Sequence, residues 1–404
     1  MRLSISALTL VLAIPGLALA QTPPPPRPGL APAAPAPAPA AEPAPAPAPA
    51  PVAEVAAPVP VPEPAPAPEA APAASGITWT TEGLVDAYYM YNFTGDPKTQ
   101  GPSFRNFDTN ANSFTLNYLK FAAQADSDVF SLRADVGAGH TAALINGSSQ
   151  GLSGTPEGDM LYGNGLFIQQ AFATLKISPE LTLDFGRFVT NAGGEVIEAN
   201  KNYLYSRSML FYGIPLLHTG VRVGYQASDM LKVQASLVNG WNNDPDNNSD
   251  KTYGLSFFLT PPDTGINAAL NTYFGKEGGS DTTMLVDLVF SKDMEGLSLA
   301  ANVDYFKLGE AYWTGLSAMG KFLVSDTFNL AARAEYIMSK KGGFGIDGDA
   351  SLYEVTVQGA YTMGSNYELR AEIRFDGSDK ELFVKGLEAK KNQATGLVAA
   401  LAYF

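Results

Sequence analysis

The sequence predicts an all-β protein: a transmembrane, antiparallel up-and-down β-barrel of about 16 strands, preceded by a disordered Pro/Ala-rich linker. Three observations carry that reading. Apolar and polar side chains alternate with period two through much of residues 77–404. Tight turns and longer polar connections alternate between those segments. Beyond the N-terminus, no stretch approaches the ~18–20 consecutive apolar residues of a membrane helix, so a membrane-spanning form must be a closed barrel.

The chain opens with Arg2, a largely apolar run from Leu3 to Leu17, and Ala18-Leu19-Ala20 before Gln21. That is the pattern of a cleaved secretory signal, so residues 1–20 are set apart from the fold. Residues 21–75 are almost entirely Pro and Ala, with Arg27, Glu42, Glu54, Glu63 and Glu69 as their only charges. Such a segment has too little apolar bulk to bury a core and favours polyproline II, reaching about 170 Å if fully extended at ~3.1 Å per residue. It reads either as a periplasmic spacer reaching peptidoglycan or as an unselected low-complexity tail. At residue 76 the composition changes abruptly, and residues 76–404 form the barrel domain.

There is no Cys, which excludes a disulfide framework, a lipoprotein anchor and any thiolate metal or redox site. The 40 acidic residues outnumber the 26 basic ones, for a net charge of −14. That excess argues against nucleic acid as a partner and, on total charge alone, leans toward cation preference.

The first strand places Trp79, Val85, Ala87, Tyr89, Tyr91 and Phe93 on one face and Thr78, Thr80, Glu82, Asp86 and Asn92 on the other. Similar alternation recurs at 130–136, 221–226 and 328–336, and is clearest where Leu369, Ala371, Ile373 and Phe375 oppose Glu368, Arg370, Glu372, Arg374 and Asp376. Between residues 113 and 124 the phase switches, from Phe114, Leu116 to Leu119, Phe121, as at a bulge. Turns fall at 126–128, 178–180, 227–230, 261–265, 292–295, 325–327 and 364–366. Longer connections fall at 94–112, 139–164, 190–217, 239–251, 275–282, 308–312, 338–351 and 376–392. Trp79, Tyr225, Tyr361 and Tyr403 at one end, with Tyr89, Tyr91, Phe93 and Trp241 at the other, suit interfacial girdles. The terminal strand ends on Phe404, which resembles the signal read by the barrel-assembly machinery.

The stretches Gly83–Tyr89, Asn106–Phe114, Asp184–Thr190, Glu195–Glu198, Tyr205–Ser208, His218–Arg222 and Val238–Trp241 together resemble the family described as putative β-barrel porin-2, OmpL-like. The resemblance spans most of residues 76–404 and omits the linker. It implies an outer-membrane porin, passing small hydrophilic solutes or ions through a water-filled barrel, without fixing the solute. Outer-membrane lipids and lipopolysaccharide would surround such a barrel, and general porins suggest a homo-trimer by analogy. No cofactor is expected.

Loop 190–217 combines Glu195, Glu198, Lys201, Tyr203, Tyr205 and Arg207 with Leu210, Phe211 and Ile214. A loop this apolar is poorly suited to water, so it is expected to fold into the pore as a constriction, with packing on the wall or a neighbouring subunit as the alternative. The expected pore wall is solvated and of mixed charge. Its acids are Glu82, Asp86, Asp135, Asp304, Glu335, Glu354, Glu368 and Glu372; its bases are Lys120, Arg133, Lys176, Arg222, Arg333, Arg370 and Arg374.

Asp244, Asp246, Asn248 and Asp250 alternate like the first ligands of a Ca²⁺ loop, but Ser249 stands where the turn Gly belongs and Leu255 where the closing Glu belongs. A solvated acidic loop is the preferred reading over a divalent site bridging lipopolysaccharide, and no metal is assigned. Gly147-Ser148-Ser149-Gln150-Gly151 matches the G-x-S-x-G string without the strand and helix that would expose a nucleophile. The chain is therefore read as a channel and not an enzyme. Two alternatives stand beside it: a tether from outer membrane to cell wall through the linker, and, more remotely, a lipid hydrolase using Ser149 with His140.

Overall fold

A strand with one apolar and one polar face can cross a bilayer only if its backbone groups pair on both sides, which a closed sheet achieves without edges. The computed structural model describes residues 76–148, 167–277 and 281–404. The expected signal peptide and linker lie outside the described residues, as do Ser149, Gln150 and Gly151.

The strands in chain order are β1 (Thr78–Asn92), β2 (Ser113–Asp126), β3 (Phe130–Ala138), β4 (Phe167–Lys176), β5 (Leu181–Val189), β6 (Leu217–Gln226), β7 (Leu231–Val238), β8 (Thr252–Leu259) and β9 (Ile266–Gly275). They continue with β10 (Thr283–Met294), β11 (Leu297–Leu308), β12 (Ala311–Ser325), β13 (Phe328–Lys340), β14 (Ala350–Met363), β15 (Tyr367–Ser378), β16 (Phe383–Lys385), β17 (Glu388–Lys390) and β18 (Asn392–Tyr403). Strands β1 to β15 and β18 close into one antiparallel barrel of sixteen strands, each paired with its neighbours, and β18 seals it against β1. β16 and β17 form a separate hairpin inside the last long connection.

Closure rests on the chain terminus. Gly83 and Phe404 exchange both backbone hydrogen bonds at 3.1 Å. The Phe404 ring lies over Gly83, where an added Cβ would come within 2.2 Å of it, so only glycine fits beneath the terminal aromatic.

The alternation is realised around the wall. On β15, Leu369, Ile373 and Phe375 are exposed outward while Glu368, Arg370, Glu372, Arg374 and Asp376 are buried inward. Trp79, Tyr225, Tyr361 and Phe93 are exposed on the outside, as girdle residues should be. Trp241 is not: its ring packs at 5.6 Å on Phe306 beside the interior cluster, because residues after β7 turn over the mouth instead of continuing the wall.

The phase switch in β2 is a β-bulge. Asp86 pairs with Tyr118 and Ala87 with Leu116, leaving Asn117 as the extra residue. Asn117 and Tyr118 therefore both point inward between the outward Leu116 and Leu119. A second bulge, not anticipated from the sequence, lies on β4: Asp135 pairs with Gln170 and Val136 with Ile168, so Gln169 is extra and also turns inward.

Residues 140–148, expected as loop, form helix α1 (His140–Ser148). Ala142 and Ile145, three apart, share its buried face within the interior cluster, which gives this short segment a reason to be helical.

Candidate functional site

Loop 190–216, between β5 and β6, occupies the interior. It contains a 3₁₀ turn at Ala199–Lys201 and a single helical turn, α2 (Met209–Tyr212). The Ser208 hydroxyl caps that turn by accepting from Phe211 N–H at 3.0 Å. Asn202 ties the loop to itself, accepting from Val196 N–H at 2.9 Å and donating to Val196 O at 2.8 Å and Glu198 O at 3.1 Å. Arg207 donates to the carbonyls of Val196, Ile197 and Tyr205, turning a guanidinium into a backbone brace.

Apolar side chains drive the loop inward. Leu204, Met209, Leu210 and Phe211 are buried, and Leu210 packs against Gly315 of β12. Gly213 lies so close to Trp313 and Phe344 that a Cβ would approach them to 2.6 and 2.8 Å. Phe104, Phe107, Phe344 and Phe383, from three other long connections, meet Phe211 and Tyr212 in an aromatic cluster at the long-loop end.

The polar backbone of a buried loop must find partners, and the barrel wall supplies them. Glu372 accepts from Tyr205 N–H at 3.0 Å and Ser206 N–H at 3.1 Å, and Gln358 from Tyr205 N–H at 2.7 Å. Glu335 accepts from Met209 N–H at 2.8 Å. Arg333 donates to Glu195 at 2.9 Å and Ser206 O at 2.7 Å, and pairs with Glu354 at 3.0 Å. Arg374 donates to Arg207 O at 2.6 Å, and Arg370 to Asn202 O at 3.2 Å.

The two bulges serve the same loop. Asn117 donates to the Tyr205 hydroxyl at 2.9 Å and Asp86 at 2.8 Å. Gln169 donates to Glu198 at 2.9 Å, beside the Lys120–Glu198 ion pair. Lys120 also bridges Asp135 at 2.7 Å. At the loop's root, Asn191 donates to Gln234 at 2.9 Å and Ser256 at 3.1 Å.

Of the six loop residues singled out in the sequence, Glu195, Glu198, Tyr205 and Arg207 are buried in these contacts. Lys201 stays half-exposed, paired with Glu82 at 2.7 Å, and Tyr203 lies beneath Lys321 with its ring centroid 5.0 Å from the ammonium. The expected wall residues all sit on the inner face, but only part of that wall is wet. Asp86, Asp135, Arg333, Glu335, Glu354, Glu368, Arg370, Glu372 and Arg374 are buried, because the loop and its neighbours cover them; they hold protein rather than water. Glu82, Arg133 and Arg222 keep solvent contact. Burying so many charges is tolerable because most lie in mutual ion pairs.

The acidic loop does not converge on a point. Asp244 pairs with Arg187 at 3.1 Å, Asp246 with Lys251, and Asp250 faces Lys276 at 3.5 Å. The Asn248 side chain donates to Lys276 O at 3.1 Å and accepts from Asp250 N–H at 2.7 Å. Among the described residues no cluster of three or more His, Asp or Glu side chains could hold a metal. Beside this loop, Glu277 accepts from Trp241 N–H at 2.7 Å and from the Thr252 hydroxyl, and burial pushes its carboxyl above the ordinary range. His140 lies 2.6 Å from the Thr109 hydroxyl, while its proposed partner Ser149 is outside the described residues.

A closed sixteen-stranded barrel, apolar outside and polar within, with a long loop folded inside, defines the porin class of outer-membrane barrel. The chain belongs to the family described as putative beta-barrel porin-2, OmpL-like, whose model matches residues 78–404. Solved structures agree on the fold. An anion-selective porin from Comamonas acidovorans superposes with a TM-score of 0.56 at 10% identity, covering 81% of this chain and 100% of that one. OmpT of Vibrio cholerae, in its trimer form, gives 0.54 at 13%, covering 81% and 99%. OprB of Pseudomonas putida gives 0.54 at 12%, covering 82% and 94%. No curated protein sequence matches the chain.

Proposed function

We propose that this chain is a passive diffusion channel for small hydrophilic solutes in the bacterial outer membrane, with loop 190–216 as its constriction. The observation that carries the reading is the loop's anchorage. Its peptide groups are held by inward side chains of β13, β14 and β15 on one side and its side chains by β1, β2 and β4 on the other. Sixteen strands enclose enough room for an aqueous channel, and a loop so fixed narrows it to a defined passage.

In this reading residues 1–20 are removed on export, and residues 21–75 extend into the periplasm toward peptidoglycan. The short turns face the periplasm and the long connections face outward. Phe404 presents the terminal strand to the barrel-assembly machinery, and outer-membrane lipid and lipopolysaccharide surround the apolar wall. The trimer form of OmpT supports a homo-trimer here. No catalytic role is proposed.

The test is single-channel recording of the full chain, refolded into planar bilayers, beside a Glu195→Gln, Glu198→Gln variant. Stable ohmic steps with altered conductance or reversal potential in the variant are expected. A folded barrel that passes no current would overturn the channel reading, and an unchanged variant would remove the loop from the permeation path.

A further inference from the structure

The charge that a permeating solute meets is not the charge of the whole chain. Many acids inside the barrel are buried beneath loop 190–216 and its neighbours, where several pair with buried cations: Glu195, Glu335 and Glu354 with Arg333, Asp376 with Arg374, and Glu198 and Asp135 with Lys120. These six acids outnumber the three cations they share, but all six are buried.

The inner wall that water still reaches lies on β3 to β7 and on the short-turn halves of the following strands. Its charged groups are mostly basic. Arg133 pairs with the buried Asp135 and shares the half-exposed carboxylate of Glu82 with Lys201, and Arg222 faces Asp184 at 2.8 Å. Two further lysines have no such partner. Lys232 on β7 and Lys321 on β12 are both half-buried on the inner face, and neither makes an ion pair among the described residues. Each is near the short-turn end of its strand: Lys232 pairs in register with Gln226 and Lys321 with Ser298. Acids at that end, Asp229, Asp293 and Asp326, sit on or beside the turns and are exposed on the rim, where salt screens them.

We infer that the channel prefers small anionic solutes, and that Lys232 and Lys321 are its specificity-determining residues. Uncompensated ammonium groups on a wall backed by low-dielectric protein concentrate counter-ions, and basic rings are how pores select anions. The tie of Lys321 to Tyr203 sets one of these charges beside the loop. This reverses the cation preference that total charge suggests, because total charge also counts acids buried away from the wet wall and those of the outer loops. It rests on the channel reading above.

The experiment is reversal-potential measurement in a potassium chloride gradient, on the full chain and on a Lys232→Gln, Lys321→Gln variant whose folding is checked by heat-modifiable migration. Chloride should permeate faster than potassium in the parent, and the reversal potential should shift toward zero in the variant. If the parent conducts but favours potassium or neither ion, or the variant keeps the parent's reversal potential, the anion assignment fails and the channel reading stands. If a folded parent passes no current, the channel reading itself fails, and this inference with it. A variant that misfolds is replaced by the single substitutions, each expected to give part of the shift.

Discussion

The hydroxyl of Tyr205 donates to Asp86 at 2.7 Å, and Asn117 donates to both. This triangle fastens the middle of loop 190–216 to β1 and β2, far from the loop's roots on β5 and β6. Tyr205→Phe leaves a buried carboxylate with one donor fewer, at a cost of about 1–3 kcal/mol. The amides of residues 203–208 should exchange about tenfold or more faster in the variant while the barrel strands stay protected, as hydrogen exchange by mass spectrometry would show. Equal loosening of strands and loop would mean the contact supports the barrel as a whole.

Asn117 is also the extra residue of the β2 bulge, so deleting it is a sharper perturbation than it sounds. Removing a bulged residue restores unbroken alternation, with Tyr118 still inward and Leu116 still outward. The deletion variant should therefore fold and migrate as a heat-modifiable barrel. What it loses is the amide that reaches Asp86, Tyr205 and the Thr141 hydroxyl. Open-channel current noise should rise as the loop gains freedom. A variant that cannot form the barrel would show that the bulge is a requirement of closure and not of the loop.

These two residues mark where the sequence is legible. Alternation fixes which face each strand residue takes, because that period is a property of the backbone, and the strand number and connections follow from it. The β2 phase switch was visible for the same reason, since two apolar runs of opposite parity met there. The β4 bulge was not: Gln169 and Gln170 are both polar, and apolar residues stand on both faces beside them, Phe167 and Phe172 inward and Ile168 and Ala171 outward, so no clean alternation is interrupted there. The loop's inward course could be read from Leu210, Phe211 and Ile214. Which wall charges it would cover could not, since Glu372 under Tyr205 and Arg222 in water look alike on an alternating strand. That depends on where one irregular segment lies in three dimensions, and no local periodicity encodes it.

Arg333 is the charge on which the most acids depend, pairing with Glu195, Glu335 and Glu354 inside a buried cluster. Arg333→Met leaves excess negative charge there, with a penalty of about 3–5 kcal/mol. Releasing the loop is the cheapest relief, since that returns Glu195 to water. Trypsin then becomes the reporter: Arg207 is buried in the parent and should be cut only once the loop is free. Faster cleavage after Arg207 is expected in Arg333→Met, partly reversed by adding Glu195→Gln. Parent-like resistance would mean the cluster tolerates the lost cation, with Arg374 taking over Glu354 from 3.7 Å.

At the long-loop end, Glu277 gives the outer loops a dependence on pH whose sign can be worked out. Burial raises its carboxyl above the unfolded value, while the Thr252 hydroxyl and the Trp241 N–H pull the other way. A raised folded-state value means the folded loop binds the proton more tightly. The stabilisation is thus fully present below the unfolded pKa and is lost as pH rises through the folded one. Protection of amides 239–251, corrected for the intrinsic rate of exchange, should increase as pH falls through that window. Glu277→Gln cannot ionise and keeps one carbonyl oxygen to accept from Trp241, so its protection should be high and flat across the same range. The nearby Asp246 titrates differently: burial would raise it, but the Lys251 ammonium holds its carboxyl below the ordinary range, so its contribution fades at lower pH. A parent whose loop weakens on acidification would assign control to that ion pair instead of Glu277.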